Sequence, residues 1–250
     1  MEQLKSISVI IMAAGRGSRL GNTAPKPLSV INNNETILSK IIRTVFKLKP
    51  NKLIVVVGHK ADEVVSHVRD CFKNDYNINF VTQGRLDGTL GAVEVGMSLI
   101  SDGLSSVLVL PSDNGWFLKA KTLKSLVRKH LMSHTTVSIL LSKEFNNDLH
   151  KVRYLISEEK VLEVQLIENN NNSRQTYLAG TGIICIEKKY FDENKHLIKP
   201  LPNGEYTISR IIEIALSRGE TVSYVIADKN EIMTINTKKD MEKLRLLAKN

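Results

Sequence analysis

Cysteine is nearly absent from this chain: two residues, Cys71 and Cys185, in 250. They lie far apart in apolar company, which gives neither a disulfide framework nor a metal-ligand spacing. Both are expected to be buried thiols, and a reducing cytosol is the expected cytoplasmic compartment. Aromatic residues make up only 5% of the chain, and no Lys/Arg cluster carries interleaved aromatics. That pattern argues against the stacking platforms of nucleic-acid binders. Long apolar runs are missing as well. None approaches the roughly 18 residues that span a bilayer. The stretch Ile7–Ala14 is too short for a signal h-region followed by a cleavage site, and reads as a first buried strand. The histidines His67, His130, His134, His150 and His196 have no ligand spacing, so a metal site built on them is not expected. His59, in a loop after a strand, reads as structural. Neither a nucleic acid nor a membrane is an expected partner.

A hydrophobic content of 42% with a mean hydropathy of -0.12 describes an ordinary globular chain. It is long enough for one sizeable core, or a core with a small subdomain. A net charge of +9 favours anionic partners. The basic residues are scattered, so a phosphate-rich small substrate accounts for them as well as a solvated lysine surface does. An oligomer is compatible with this composition.

Short β-branched runs alternate with helix-like segments from the start. Strands are expected at Ser8–Met12, Leu53–Val57, Ile78–Val81, Ser106–Leu110 and Thr136–Leu141. Between them lie helices over Thr36–Leu48, Ala61–Phe72, Leu90–Leu99 and Leu118–Leu131. Continuous apolar strands between helices suit a mainly parallel sheet covered on both faces, a doubly wound α/β fold with ligands at the carboxyl ends of its strands. From about Leu149 the rhythm changes. Val152–Ile156, Val161–Ile167 and Tyr177–Ile186 read as consecutive strands, with Asn169–Ser173 as a surface turn. Helices return at Ile208–Ser217 and Thr237–Leu247 around a strand Val222–Ala227. One domain over 1–250 is expected, with a nucleotide-binding half at 1–148 and a small β-rich acceptor-side lobe in 149–250.

The strongest local signal is Met12-Ala-Ala-Gly-Arg-Gly-Ser-Arg-Leu-Gly21, followed by Pro25-Lys26-Pro-Leu28. Small residues at Ala13, Ala14, Gly15 and Gly17 let the backbone approach a ligand and turn its N–H groups inward around an anion. Arg19 offers a planar fork of donors for phosphate oxygens, and Lys26 a compact cation. The spacing fits neither the P-loop nor the dinucleotide fingerprint. Without its strand and its Pro-Lys, the loop would read as a plain glycine-rich turn.

At these residues the chain resembles the sugar-1-phosphate nucleotidyltransferases, whose loop reads Ala-Ala-Gly-x-Gly-Thr-Arg-Met/Leu … Pro-Lys, with Ser18 here in place of the threonine. The nearest likeness is to the uridylyltransferase domain of the bacterial N-acetylglucosamine-1-phosphate uridylyltransferases. No hexapeptide repeats occur, so nucleotidyl transfer without the β-helix acetyltransferase is expected. The resemblance implies a Rossmann-like nucleotidyltransferase fold. Gln83 with Asp87-Gly-Thr-Leu-Gly-Ala92 resembles the family's Gln … Leu-Gly-Thr-x-x-Ala segment, implying that Gln83, Gly88 and Thr89 contact a pyrimidine base. Taken alone, Gly88-Thr89 also fits a turn and helix cap. Asp113, ending Leu108-Val-Leu-Pro-Ser-Asp, and Asn236 match the pair that holds Mg²⁺ in the family. Two hard oxygens with phosphates and waters make a normal magnesium shell. Taken alone, Asp113 also reads as a strand-end turn or cap, and Asn236 as the N-cap of the last helix.

On the acceptor side, Gly204-Glu-Tyr-Thr-Ile-Ser209 resembles the segment that closes over the sugar, with Thr207 replacing a tyrosine and Ser209 keeping a hydroxyl. Gly180 stands where the family carries its sugar-contacting asparagine. Lys151-Val-Arg153 replaces a Gly-Tyr-Gly-Arg turn. Glu163 and Glu168 are both candidates for the sugar-binding glutamate.

The implied reaction is Mg²⁺-dependent transfer of a nucleotidyl group, from UTP, to a sugar 1-phosphate, releasing pyrophosphate. Arg19, Lys26 and Asp113 would be the catalytic residues, positioning charge instead of supplying a nucleophile. The rivals are a dTTP- or CTP-using transferase with another phosphorylated acceptor, and a non-catalytic nucleotide-sugar-binding regulatory protein.

Overall fold

The computed structural model describes residues 7–15, 25–73, 78–101, 106–143, 152–157, 160–166, 177–228, 230–233, 235 and 237–249. In chain order it contains β1 (Ile7–Met12), β2 (Val30–Asn32), β3 (Glu35–Thr36), α1 (Ile37–Phe46), β4 (Lys52–Val57), α2 (Ala61–Cys71), β5 (Ile78–Thr82), α3 (Thr89–Met97) and β6 (Ser106–Pro111). There follow α4 (Ala120–Ser133), β7 (Val137–Ser142), β8 (Val152–Ser157), β9 (Lys160–Leu166), β10 (Tyr177–Glu187), α5 (Lys188–Asn194), α6 (Arg210–Ser217), β11 (Val222–Ile226) and α7 (Lys238–Leu247). Two helix starts have visible chemical causes. Thr36 accepts the N–H of Ser39 at the head of α1, and Thr237 forms a reciprocal capping box with Asp240 at the head of α7. Such caps satisfy amides that have no partner within the helix. The hairpin β2–β3 and helix α5 were not expected from the sequence.

One sheet runs in the order β5-β4-β1-β6-β10-β7-β11-β9-β8, and β8 also pairs with β10. Strands β5, β4, β1 and β6 are parallel. The expectation of a mainly parallel sheet with a β-rich lobe to one side needs correction beyond them. Strand β10 runs antiparallel to both β6 and β7, while β11 lies parallel to β7. The sheet is therefore mixed, and strands from both sides of residue 148 interleave in it. The reason lies in the pattern of β10: Ile183 and Cys185 enter one core and Ile184 and Ile186 the other. A strand buried on both faces belongs in the middle of a sheet. Nothing in such a pattern encodes direction.

Helices cover both faces. Ile7, Val9 and Ile11 of β1 pack with residues of α1, α2, α4 and α7; Ile10 packs with residues of α3, α5 and α6. Successive strand side chains point to opposite faces, so one strand feeds two cores. Of the two thiols, Cys185 is buried as expected, and burial pushes its pKa well up. Cys71 is only half-buried and is not in apolar company: its sulfur lies 3.5 Å from Nε2 of His67, and Oγ of Ser39 donates to it at 3.7 Å.

A polar seam crosses the core between α4, β7 and β11. Nδ1 of His130 lies 2.9 Å from Oγ of Ser138, and Ser138 lies 2.6 Å from Oγ of Ser223. Burial lowers the His130 pKa from 6.5 to about 4. Its folded value lies below its unfolded one, so the stabilisation is complete above 6.5 and is lost as pH falls from there towards 4. The gap corresponds to at most about 3 kcal/mol. Denaturant unfolding followed from about pH 7 to about pH 4 should therefore lose stability steeply, and His130→Gln should flatten that part of the profile.

Candidate active site

The carboxyl ends of the four parallel strands form one edge. There Ala13 N–H donates to the Val56 carbonyl at 2.8 Å, His59 N–H to the Ala14 carbonyl at 3.1 Å, Gln83 N–H to the Val57 carbonyl at 2.8 Å, and Ser112 N–H to the Met12 carbonyl at 3.2 Å. The loops after β1, β4, β5 and β6 are thus laced together. Gly58 makes the lacing possible, because a Cβ there would lie 2.9 Å from the Ala14 carbonyl oxygen. Ala13 and Ala14 are buried, whereas Gly15 is exposed. No atom of the described residues lies within 4 Å of where a Gly15 side chain would begin.

At one end of this edge, Nζ of Lys26 donates to Oδ2 of Asp113 at 2.7 Å. The two residues come from the Pro-Lys segment and the end of β6. Their side chains are 10% and 31% exposed, so the pair sits in a recess that still meets solvent. The main chain of Asp113 accepts Ile235 N–H at 3.3 Å. Arg19 and Asn236 lie outside the described residues, as does Glu168. The next residue, Asn114, donates to the Thr181 carbonyl at 2.6 Å, and its buried Oδ1 has no hydrogen-bond partner among the described residues. Sequence reasoning passed over Asn114, which carries no signal beyond its place after Asp113.

At the other end lie Gln83, Gly88 and Thr89. The strands β5 and β6 are three spacings apart in the sheet, on the order of 14 Å. Gln83 is buried, and its Nε2 donates to the Gly88 carbonyl at 3.0 Å and to Oδ1 of Asp87 at 3.4 Å. Gly88 has φ of +125°, and a Cβ there would lie 2.2 Å from the Tyr206 carbonyl oxygen. Both the torsion and the clearance require glycine. The close approach stitches two segments together: Tyr206 N–H donates to the Asp87 carbonyl at 2.8 Å, and Leu90 N–H to the Tyr206 carbonyl at 3.1 Å. Oγ1 of Thr89 accepts Ile208 N–H at 3.0 Å and donates to Oγ1 of Thr207 at 3.4 Å, which lies 3.0 Å from Oγ of Ser209. The Thr89 hydroxyl therefore ties Gly204–Ser209 to the head of α3.

Gly180 lies on β10. A Cβ there would fall 2.7 Å from Cε2 of Tyr154. Tyr154 is buried, and burial, with the nearby charge of Glu213 adding to it, pushes its pKa well up. An aromatic ring thus stands where a side chain at position 180 would begin. The pairing of β8 with β10 that brings it there is not readable from sequence. Glu163 is exposed on β9. Among the described residues no three His, Cys, Asp or Glu side chains are grouped to hold a metal. Asp113 supplies a carboxylate, whose Oδ1 meets no donor among the described residues.

The comparisons with known proteins bear on this arrangement. The family model for "Nucleotidyl transferase" matches residues 8–237. The chain belongs to the nucleotidyl transferase family. It is 32% identical over 247 residues to the bifunctional protein GlmU of Ruthia magnifica subsp. Calyptogena magnifica, covering 96% of this chain and 51% of that protein. To the bifunctional protein GlmU of Synechococcus sp. (strain JA-2-3B'a(2-13)) it is 26% identical over 241 residues, covering 95% and 36%. The chain thus spans between about a third and a half of the length of these curated relatives. Among solved structures, a chain described as a glucose-1-phosphate thymidylyltransferase from Bacillus anthracis, in complex with a sucrose, aligns with a TM-score of 0.80 at 20% identity over 98% of this chain and 96% of that one. A UDP-glucose pyrophosphorylase complexed with UDP-glucose aligns with a TM-score of 0.77 at 14% identity, covering 97% and 98%. These two likenesses concern the fold alone.

The Gly88 contact yields a direct test. Gly88→Ala should lower stability by about 1–3 kcal/mol, read by thermal unfolding, because it combines left-handed strain with a backbone clash.

Proposed function

We propose that this nucleotidyl transferase moves a uridylyl group from UTP to a sugar 1-phosphate and releases pyrophosphate. The observation that carries the reading is the Lys26–Asp113 pair at 2.7 Å, a cation and a carboxylate joined at the ends of the parallel strands. The structural neighbours, a glucose-1-phosphate thymidylyltransferase and a UDP-glucose pyrophosphorylase, support a sugar 1-phosphate as the acceptor. The two thiols without a disulfide fit a reducing cytoplasm.

The base lies at Gln83 and Gly88, and the phosphates run along Ala13–Gly15 towards Lys26. An oxygen of the acceptor phosphate attacks the α-phosphorus. The new P–O bond forms as the bond to the bridging oxygen breaks, and pyrophosphate carries off the negative charge. A phosphate is already an ionised nucleophile near neutral pH, so no protein base is needed. Lys26 exchanges Asp113 for the α-phosphate and neutralises charge as it builds up. Arg19, by resemblance, holds the leaving pyrophosphate. A hard carboxylate oxygen suits Mg²⁺, and one or two such ligands with phosphates and waters complete its shell. Asp113 and, by resemblance, Asn236 would hold the ion, which supplies Lewis-acid neutralisation of phosphate charge.

Thr207 and Ser209, tied to Thr89, would face the acceptor. Tyr154 closing over Gly180 favours an acceptor that is not read by an amide side chain at that position, which sets this chain apart from readers of an acetamido group. Lys26→Ala and Asp113→Ala should each lower turnover about a hundredfold while leaving the protein folded. The check is pyrophosphate release with each of four nucleoside triphosphates against a panel of sugar 1-phosphates, with and without Mg²⁺. Near-normal turnover of either variant would sink the assignment.

A further inference from the structure

We infer that Asp87 is a positioning residue that fixes how Gln83 reads the base, so that a pyrimidine donor must carry a ring N–H, as uracil and thymine do and cytosine does not. The inference rests on the reading of this crevice as a nucleotide site. Gln83 is 5% exposed. Its amide has donors on nitrogen and an acceptor on oxygen, and its neighbours decide which end faces where. Here they leave no choice. Nε2 lies 3.0 Å from the Gly88 carbonyl and 3.4 Å from Oδ1 of Asp87. A carbonyl and a carboxylate only accept. With the amide turned over, three acceptors would meet without a proton among them. The NH₂ group is therefore held by the protein, and Oε1 is left as an acceptor that meets no donor among the described residues. An acceptor left in this way can take a hydrogen bond from a ligand donor.

Two further features hold this orientation. Gly91, in the first turn of α3, has no side chain where one would strike the pair: a Cβ there would lie 2.6 Å from Oδ1 of Asp87 and 3.0 Å from Nε2 of Gln83. The missing side chain is the space in which the two groups meet. The backbone of Asp87 is fixed as well, since its carbonyl accepts Tyr206 N–H at 2.8 Å and Gly88 follows in its left-handed conformation. Uracil and thymine present N3–H to such an acceptor. Cytosine presents an unprotonated N3, which sets lone pair against lone pair.

The test measures binding of UTP, dTTP, CTP and the triphosphate of N3-methyluridine to the full chain by calorimetry. UTP and dTTP should bind alike, with CTP and the N3-methyl analogue about tenfold or more weaker. Asp87→Ala and Gly91→Ala, shown folded by thermal unfolding, should each narrow the UTP:CTP ratio by about threefold or more. A merely structural role would lower affinity for both nucleotides and leave that ratio unchanged. Equal affinity of the native protein for UTP and CTP would overturn the inference. So would an unaltered ratio in both folded variants. Failure of every nucleotide to bind the folded native chain would instead strike down the nucleotide reading itself, and this inference with it.

Discussion

The position of β10 between β6 and β7 is the constraint on which the surroundings of both Asp113 and Gly180 depend. It gives hydrogen bonds to strands on either side and side chains to both cores. A strand so placed cannot shift register without moving a buried face into the wrong layer. That rigidity matters because β10 bulges between Gly180 and Ile184. Around the bulge, the Thr181 carbonyl receives Asn114, and its hydroxyl donates to the Leu140 carbonyl at 2.7 Å. The residues beside Asp113 are thereby fixed against a strand that arrives late in the chain. The surroundings of Asp113 and of Gly180 share one support.

The end of the edge at Gln83 and Gly88 is organised differently. There the key element is a close crossing of two backbones, Gly88 over Tyr206, with side-chain hydroxyls from Thr89 and Thr207 closing it. One segment belongs to the loop after β5 and the other precedes α6. A substrate bridging them would sense both. This is a reason for donor and acceptor recognition to be coupled through a few hydrogen bonds, with no large movement of the sheet.

Much of this was legible in the sequence because local patterns have local causes. The apolar runs of β1, β4, β6 and β7 and the amphipathic α1 and α2 follow from periodicity. The pairing of Lys26 with Asp113, 87 residues apart, was expected only as two motifs meeting one substrate. Strand direction was not legible, since Ile183–Ile186 has the same pattern in either sense. Nor was Tyr154 over Gly180, because strand pairing between β8 and β10 depends on long-range register. Cys71 was misread although His67, four residues earlier on the same helix, was legible as its neighbour; only the approach of Ser39 from α1 depends on packing. The role of Asp87 was hidden for a related reason: its partner Gln83 is close in sequence, yet their meeting depends on the bare face of Gly91.

The Lys26–Asp113 pair also changes how the crevice is seen from solution. A formal charge of +9 suggests a site that pulls anions in from a distance. Within the crevice, however, the lysine already has its counterion. On the proposed function, an arriving triphosphate would replace one carboxylate contact with a phosphate contact, so the local gain would be the difference between two pairings. The far field comes from the scattered surface lysines, whose pull decays within about 10 Å at ordinary ionic strength. Capture and approach are thus separate electrostatic problems in this molecule. Added salt weakens the approach far more than it disturbs the exchange of partners inside.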